Sequence, residues 1–184
     1  KVFILGKVFM PAGVIVYPIS FLITDVISEL WGKKVATRVV WAGFMASIVA
    51  FVLAYLAVFL PPAPFYQHQT VFAEMFGRLG RITFASLIAY LVSQTHDVWS
   101  FHFFKELTND KHLWLRNNVS TITSQLIDTI LFISIAFWGI IPQNALLGMM
   151  FGQWIVKVGI ALFDTPFCYL AVNFFSRYIH PERV

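Results

Sequence analysis

An all-α, polytopic helical membrane protein is the fold class this sequence predicts, and three observations predict it. Hydrophobic residues make up 59% and charged residues 12% of the 184 positions, against about 45–50% and about 25% in soluble domains. Apolar runs of the length a bilayer requires, roughly 20 residues, recur along the chain. The basic residues collect in alternate connections between those runs. No linker or charge run divides the chain, so a single transmembrane domain over residues 1–184 is expected.

Five spans are legible: Met10 to Leu30, Val39 to Leu60, Arg81 to Phe104, Asn118 to Trp138, and Ala145 to Ser176. The last is too long for one straight span and holds Pro166, so it reads as a kinked, tilted helix or as an interfacial helix leading into a span. Between them, "WGKKVATR" carries Lys33, Lys34 and Arg38, and "KELTNDKHLWLR" carries Lys105, Lys111 and Arg116. Arg177 and Arg183 follow the last span, whereas "PPAPFYQHQTVFAEMFG" and "GIIPQN" hold no Lys or Arg. Eight of the thirteen basic residues therefore fall on one side. The positive-inside rule makes that side, with the C-terminus, the cytoplasmic face. The formal charge of +4 is thereby explained by topology, and no nucleic-acid partner is expected. Lys1 then lies outside. A cytoplasmic N-terminus would require one more span before it, six in all.

Trp31, Trp41, Trp114 and Trp138 lie near span ends, where an aromatic belt would place them. Small residues four apart, at Gly148 and Gly152, at Ala85 and Ala89, and at Ala46, Ala50 and Ala54, suit close helix packing. Packing inside the bundle is the favoured use, and a homo-oligomer is compatible with the same pattern. The lone Cys168 excludes an intrachain disulfide and a multi-cysteine metal site.

The candidate site rests on polar residues inside the spans: Asp25, Glu29, Asp97, Asp128, Lys157 and Asp164. Each costs roughly 2.5–3.5 kcal/mol at the bilayer centre, so function is the default reading. Gln94-x-x-Asp97 and Gln125-x-x-Asp128 each put an amide and a carboxylate on one helix face. Counted from the shared cytoplasmic ends of their spans, Gln94 lies level with Asp128, and Asp97 with Gln125. Facing each other, they frame one polar chamber. Asp25 and Glu29 share a face of the first span, with Glu29 paired to Lys33 as the bland alternative. Lys157 and Asp164, seven apart, either neutralise each other or find partners elsewhere. His96 and His102 are six apart, not the four of a helical metal site, so no metal is expected and His96 reads as a helix-to-helix hydrogen bond. Asn117 and Asn118 read first as a helix cap.

Amides and carboxylates suit a small ligand rich in N–H donors and carbonyl acceptors. Aromatic residues such as Trp99, Phe101, Phe103 and Tyr17 offer faces for a planar ring. The residues thus point to a transporter or receptor for a small polar planar solute, or to a proton-coupled carrier using Asp97 and Asp128. No phosphate loop, nucleophile elbow or zinc-protease motif occurs, so neither an enzyme nor a cofactor is expected. An intramembrane hydrolase or transferase is the competing class.

The segments "YPISFLITDVISELWGKKVATRVVW", "SQTHDVWSFHFFKELTNDKHLWLRNNVSTITSQLIDT" and "IAFWG" resemble the queuosine precursor transporter family, also called the vitamin uptake transporter family. The resemblance covers roughly Gly13 to Gly139. It implies a six-helix inner-membrane importer of 7-deazaguanine precursors of queuosine, the 7-cyano or 7-aminomethyl compound. On that reading Asp97 or Asp128 holds the guanine-like edge, and Gln94 and Gln125 complete it. Asp25 lines the cavity, Asn117 lies near its inner end, and Trp99 or a nearby Phe stacks on the ring. Arg38 and Arg116 are assigned to topology rather than to a gate. With no ATP-binding segment in the chain, a substrate-capture subunit needing a separate energising module, or a carrier of another purine-like or vitamin-like solute, stays open.

Overall fold

Pro11 and Gly13 decide how the first apolar run folds. A helix cannot continue smoothly through proline, and glycine costs about 1 kcal/mol in a helix interior. The structure, a computed structural model, describes residues 2–5, 8–11, 17–77 and 80–179. In it Val2–Leu5 (β1) and Val8–Pro11 (β2) pair as an antiparallel hairpin, Val2 opposite Pro11 and Leu5 opposite Val8. Among the described residues helix α1 runs from Tyr17 to Trp31. The expected first span is corrected at its start, because Met10 and Pro11 belong to β2; its residues 12–16 lie outside the described residues.

The remaining elements are helical: α2 (Lys33–Phe59), α3 (Gln69–Gly77), α4 (Gly80–Leu107), α5 (Leu113–Phe137) and α6 (Gln143–Ile179). Among the described residues, α2, the stretch ending in α4, α5 and α6 are long and apolar enough to cross a membrane. Large apolar side chains such as Leu53, Phe84, Phe151 and Leu170 stand on the outer surface, as lipid-facing residues would. The last element is a single helix of 37 residues that runs through Pro166.

Tight turns set the neighbours. Gly32, with φ 81°, reverses the chain between α1 and α2. Asn109, Asp110 and His112 take positive φ between α4 and α5, so α5 begins at Leu113. Asn117 and Asn118 consequently lie inside α5 and do not cap it. Asn118 instead exchanges hydrogen bonds with Thr165 of α6 at 2.8 and 3.0 Å. The most extensive helix contact joins α4 to α5. At the end of this pair away from the basic loops, the Arg81 guanidinium donates to the Ile135 and Trp138 carbonyls at 2.6 Å, satisfying the last turn of α5.

The bundle is packed with small side chains: Ala85 and Ala89 are fully buried, and Ala36, Val40 and Val98 form a cluster joined by Ile27 and Tyr90. Ala46 and Ala50 instead lie on the exposed face of α2. Gly43 belongs to the α2–α4 contact, because a Cβ there would sit 2.6 Å from the Tyr90 hydroxyl. That hydroxyl reaches the Val40 carbonyl at 3.4 Å. Gly43→Ala is expected to cost about 1 kcal/mol, the low end for overpacking, since only the tip of a side chain must move. Tyr90→Phe should relieve most of the loss. Thermal unfolding of the two single variants and the double variant checks the coupling.

Candidate functional site

Helix α5 presents one almost continuous polar face. Asn117, Ser120, Thr121, Ser124, Gln125 and Thr129 recur at three- and four-residue steps and are all buried. An isolated membrane helix with such a face would be costly, so three partners cover it. Helix α4 supplies Ser93, Gln94, Asp97 and Ser100, α1 supplies Thr24, Asp25 and Ser28, and α6 supplies Gln153 and Lys157, each buried. The result is a polar seam running along the bundle.

The register of the seam follows the depth count. The Ser93 hydroxyl lies 3.4 Å from Asp128 Oδ1, and His96 Nδ1 shares a 2.9 Å hydrogen bond with Ser124 Oγ. Gln94 and Asp128 are thus at one level, and His96 makes the helix-to-helix bond its position suggested. Across the α1 contact, Thr121 donates to Asp25 Oδ2 at 3.2 Å. The Asp25 and Asp97 carboxyl groups face each other, with the Ser120 and Ser124 hydroxyls beside Asp97.

The seven residues named from the sequence do not all meet. Gln94, Asp97, Gln125, Asp25 and Asn117 lie buried in the seam. Asp128 lies at its edge and is engaged: Lys157 Nζ donates to its Oδ2 at 2.6 Å. Lys157 therefore finds Asp128 across the bundle, not Asp164 along its own helix. Trp99 points away from the seam. It is 52% exposed, stacked on Phe103 with ring centroids 5.6 Å apart. The aromatic ring on the inner side is Phe101, fully buried under the Arg116 guanidinium.

At the basic end of the seam a charged cluster closes it. Arg116 is 2% exposed and holds Glu29 Oε1 at 2.6 Å, while Lys105 holds Glu29 Oε2 at 3.2 Å. Arg116 also donates to the Asp110 carbonyl at 3.0 Å. Glu29 is therefore paired across helices and not with Lys33, and Arg116 is a buried structural cation, not a surface topology marker.

The seam is closely packed. Its cavity between α1, α5 and α6 holds ≈ 10 Å³, whereas small-molecule sites run to about 300–1,000 Å³. Yet many of its polar atoms make no hydrogen bond within the protein: both ends of the Gln94 and Gln125 amides, Asp25 Oδ1, Asn117 Oδ1, Thr129 Oγ1 and Gln153 Oε1, while Asp97 has only the Asp25 carboxyl and the Ser120 and Ser124 hydroxyls as polar neighbours. Each such group costs about 1–3 kcal/mol when buried alone. A cluster of them marks a surface shaped for something other than itself. Ser120, Thr121, Ser124 and Gln153 were not singled out from the sequence. Their three- and four-residue spacing with Asn117, Gln125 and Lys157 was the available signal.

Comparison with known proteins puts this geometry in context. The family model described as "Putative vitamin uptake transporter" matches residues 11–171. A "Probable queuosine precursor transporter" of Bacillus subtilis (strain 168) is 35% identical over 161 residues, covering 86% of this chain and 70% of that protein. The "Queuosine precursor transporter" of Escherichia coli (strain K12) is 31% identical over 126 residues, 68% of this chain and 54% of its own length. A Haemophilus influenzae (strain ATCC 51907 / DSM 11121 / KW20 / Rd) relative, also a "Probable queuosine precursor transporter", is 31% identical over 129 residues, 68% of this chain and 51% of its own. The chain thus spans about half the length of the last two. No solved structure matches it. Because the family match runs from β2 through α1 into α6 and so takes in every helix of the polar seam, the chain belongs to the vitamin uptake transporter family.

Proposed function

We propose that the protein imports 7-deazaguanine precursors of queuosine across the prokaryotic inner membrane, with its basic end in the cytoplasm, and binds them in the polar seam that α4 and α5 form with α1 and α6. The observation that carries this reading is the pair of unbonded Gln94 and Gln125 amides beside the buried Asp97 carboxyl. A 7-deazaguanine offers a ring N–H and an exocyclic amine side by side, which one carboxylate accepts as a pair, and a carbonyl beside them that takes an amide donor. Asp97 supplies the carboxylate and Gln94 or Gln125 the donor. Asp128 is already held by Lys157, so the recognition role falls to Asp97 of the two. The names of the relatives support the solute class. Admission of a bicyclic base requires the helices around the seam to part.

A ligand panel tests the reading. The full-length protein in detergent should gain about 2.7 kcal/mol of stability from 7-cyano-7-deazaguanine or its aminomethyl counterpart at 100 times the dissociation constant. Adenine, with a ring acceptor where guanine has an N–H, should give no shift. Trp99→Ala should bind as the parent does, since its ring faces outward. A folded protein that none of the deazaguanines stabilises or crosses with in proteoliposomes would remove this function.

A further inference from the structure

We propose that the seam contains a second site, distinct from the solute edge, that binds a desolvated monovalent cation of the Na⁺ type between Asp25, Asn117, Thr121 and Asp164. These four oxygen-bearing residues, from α1, α5 and α6, line one cavity together with apolar wall residues that include Phe21 and Leu22. Its volume, ≈ 10 Å³, is that of about one water-sized sphere. Asp25 and Asn117 are 2% and 4% exposed, and Asp25 Oδ1 and Asn117 Oδ1 make no hydrogen bond. Thr121 spends its proton on Asp25 Oδ2, and a hydroxyl that donates keeps its lone pairs. The cavity is thus lined by carboxylate, amide and hydroxyl oxygens, the ligands of a hard cation.

Charge points the same way. Arg116 and Lys105 are taken by Glu29, and Lys157 by Asp128. Among the described residues, no Lys, Arg or His lies within ion-pair distance of Asp25, Asp97 or Asp164. The buried Asp25 and Asp97 carboxyl groups and the half-buried Asp164 therefore stand along the seam without a protein cation, and the facing pair is neutralised either by a proton shared between them or by a bound cation. A small monovalent ion fits the space. Mg²⁺ keeps several waters and Ca²⁺ takes about 6–8 oxygens, and the cavity has room for neither shell. Among the described residues the lining holds no His or Cys, the ligands that transition metals favour, so a transition metal is not the occupant. Asp25 also faces Asp97, which gives the ion a direct route to influence the solute edge. That coupling rests on the transport reading above, whereas the binding of the ion does not.

The test measures the ion first without any solute. Full-length protein freed of sodium is melted in NaCl, KCl and choline chloride at one pH and one ionic strength, and equilibrium uptake of radioactive sodium is counted in parallel. The proposal expects saturable stabilisation by Na⁺ that choline does not reproduce. The isosteric Thr121→Val and the volume-matched Asn117→Leu should each weaken Na⁺ by about tenfold or more, with sodium-free melting that shows whether they fold. A sodium gradient should then accelerate deazaguanine entry into proteoliposomes. Identical melting of the parent in NaCl and choline would overturn the site and leave a proton as the neutralising ion, and entry driven by a pH gradient with no response to sodium would overturn its coupling to transport. Because sodium binding is read without solute, a wrong solute leaves that result standing, and a failed sodium site leaves the ligand panel standing.

Discussion

Asp97→Asn is expected to weaken 7-deazaguanine binding about a hundredfold or more while leaving the protein folded. The side chain is fully buried, with only the Asp25 carboxyl and the Ser120 and Ser124 hydroxyls as polar neighbours and no protein cation, so accepting capacity is left for a ligand. Hydrogen bonds to a charged group contribute about 1.5–3 kcal/mol each, and two are made to one carboxylate. At about 1.4 kcal/mol per tenfold, losing them costs two decades or more. Asparagine also turns an N–H toward a ligand N–H, replacing an attraction by a clash of donors. It is isosteric and places no charge beside Asp25, so melting without ligand should not fall. Equilibrium binding with the melting curve as control decides the matter, and an unchanged dissociation constant would take Asp97 out of recognition.

Arg116→Ala is expected to destabilise the bundle by about 3 kcal/mol, the low end for breaking a buried pair because Lys105 stays with Glu29. The loss combines the 2.6 Å bond to Glu29, the bond to the Asp110 carbonyl and the contact over Phe101. Arg116→Lys should recover only part, since an ammonium cannot reproduce the planar fork. Arg38 is exposed on α2, and Arg38→Ala should stay within about 0.5 kcal/mol of the parent. Unfolding midpoints of the three variants test the contrast. If Arg116→Ala and Arg38→Ala unfolded alike, the buried cluster would not be closing the seam.

That contrast shows where sequence reading stopped. Both arginines sit in basic loops, and charge patterning alone ranks them equally. Only the turn at Asn109, Asp110 and His112 tucks Arg116 inward. The level of Gln94 against Asp128 was legible because α4 and α5 are joined by a short loop and rise per residue is constant. Which carboxylate keeps a cation was not, since the Lys157 pairing depends on the rotation of α6 about its axis. Trp99 was recoverable: at about 100° per residue it stands about 200° around α4 from Asp97, on the opposite side. The start of the first span was misplaced for a local reason, the pairing of Met10 and Pro11 in a hairpin strand, which hydropathy alone does not register.

The α4–α5 pair is clamped at both ends, by Arg81 on the last carbonyls of α5 and by the Arg116, Lys105 and Asp110 cluster at the turn. Such a pair behaves as a stator. Any opening that leaves it intact must displace α1 or α6, and these carry Asp25 and Asp164 while Asn117 and Thr121 stay behind on α5. In the mechanism proposed above, the gate and the ion seat are the same joint: parting the helices to admit a solute dismantles the oxygen cage, and closing over the solute rebuilds it.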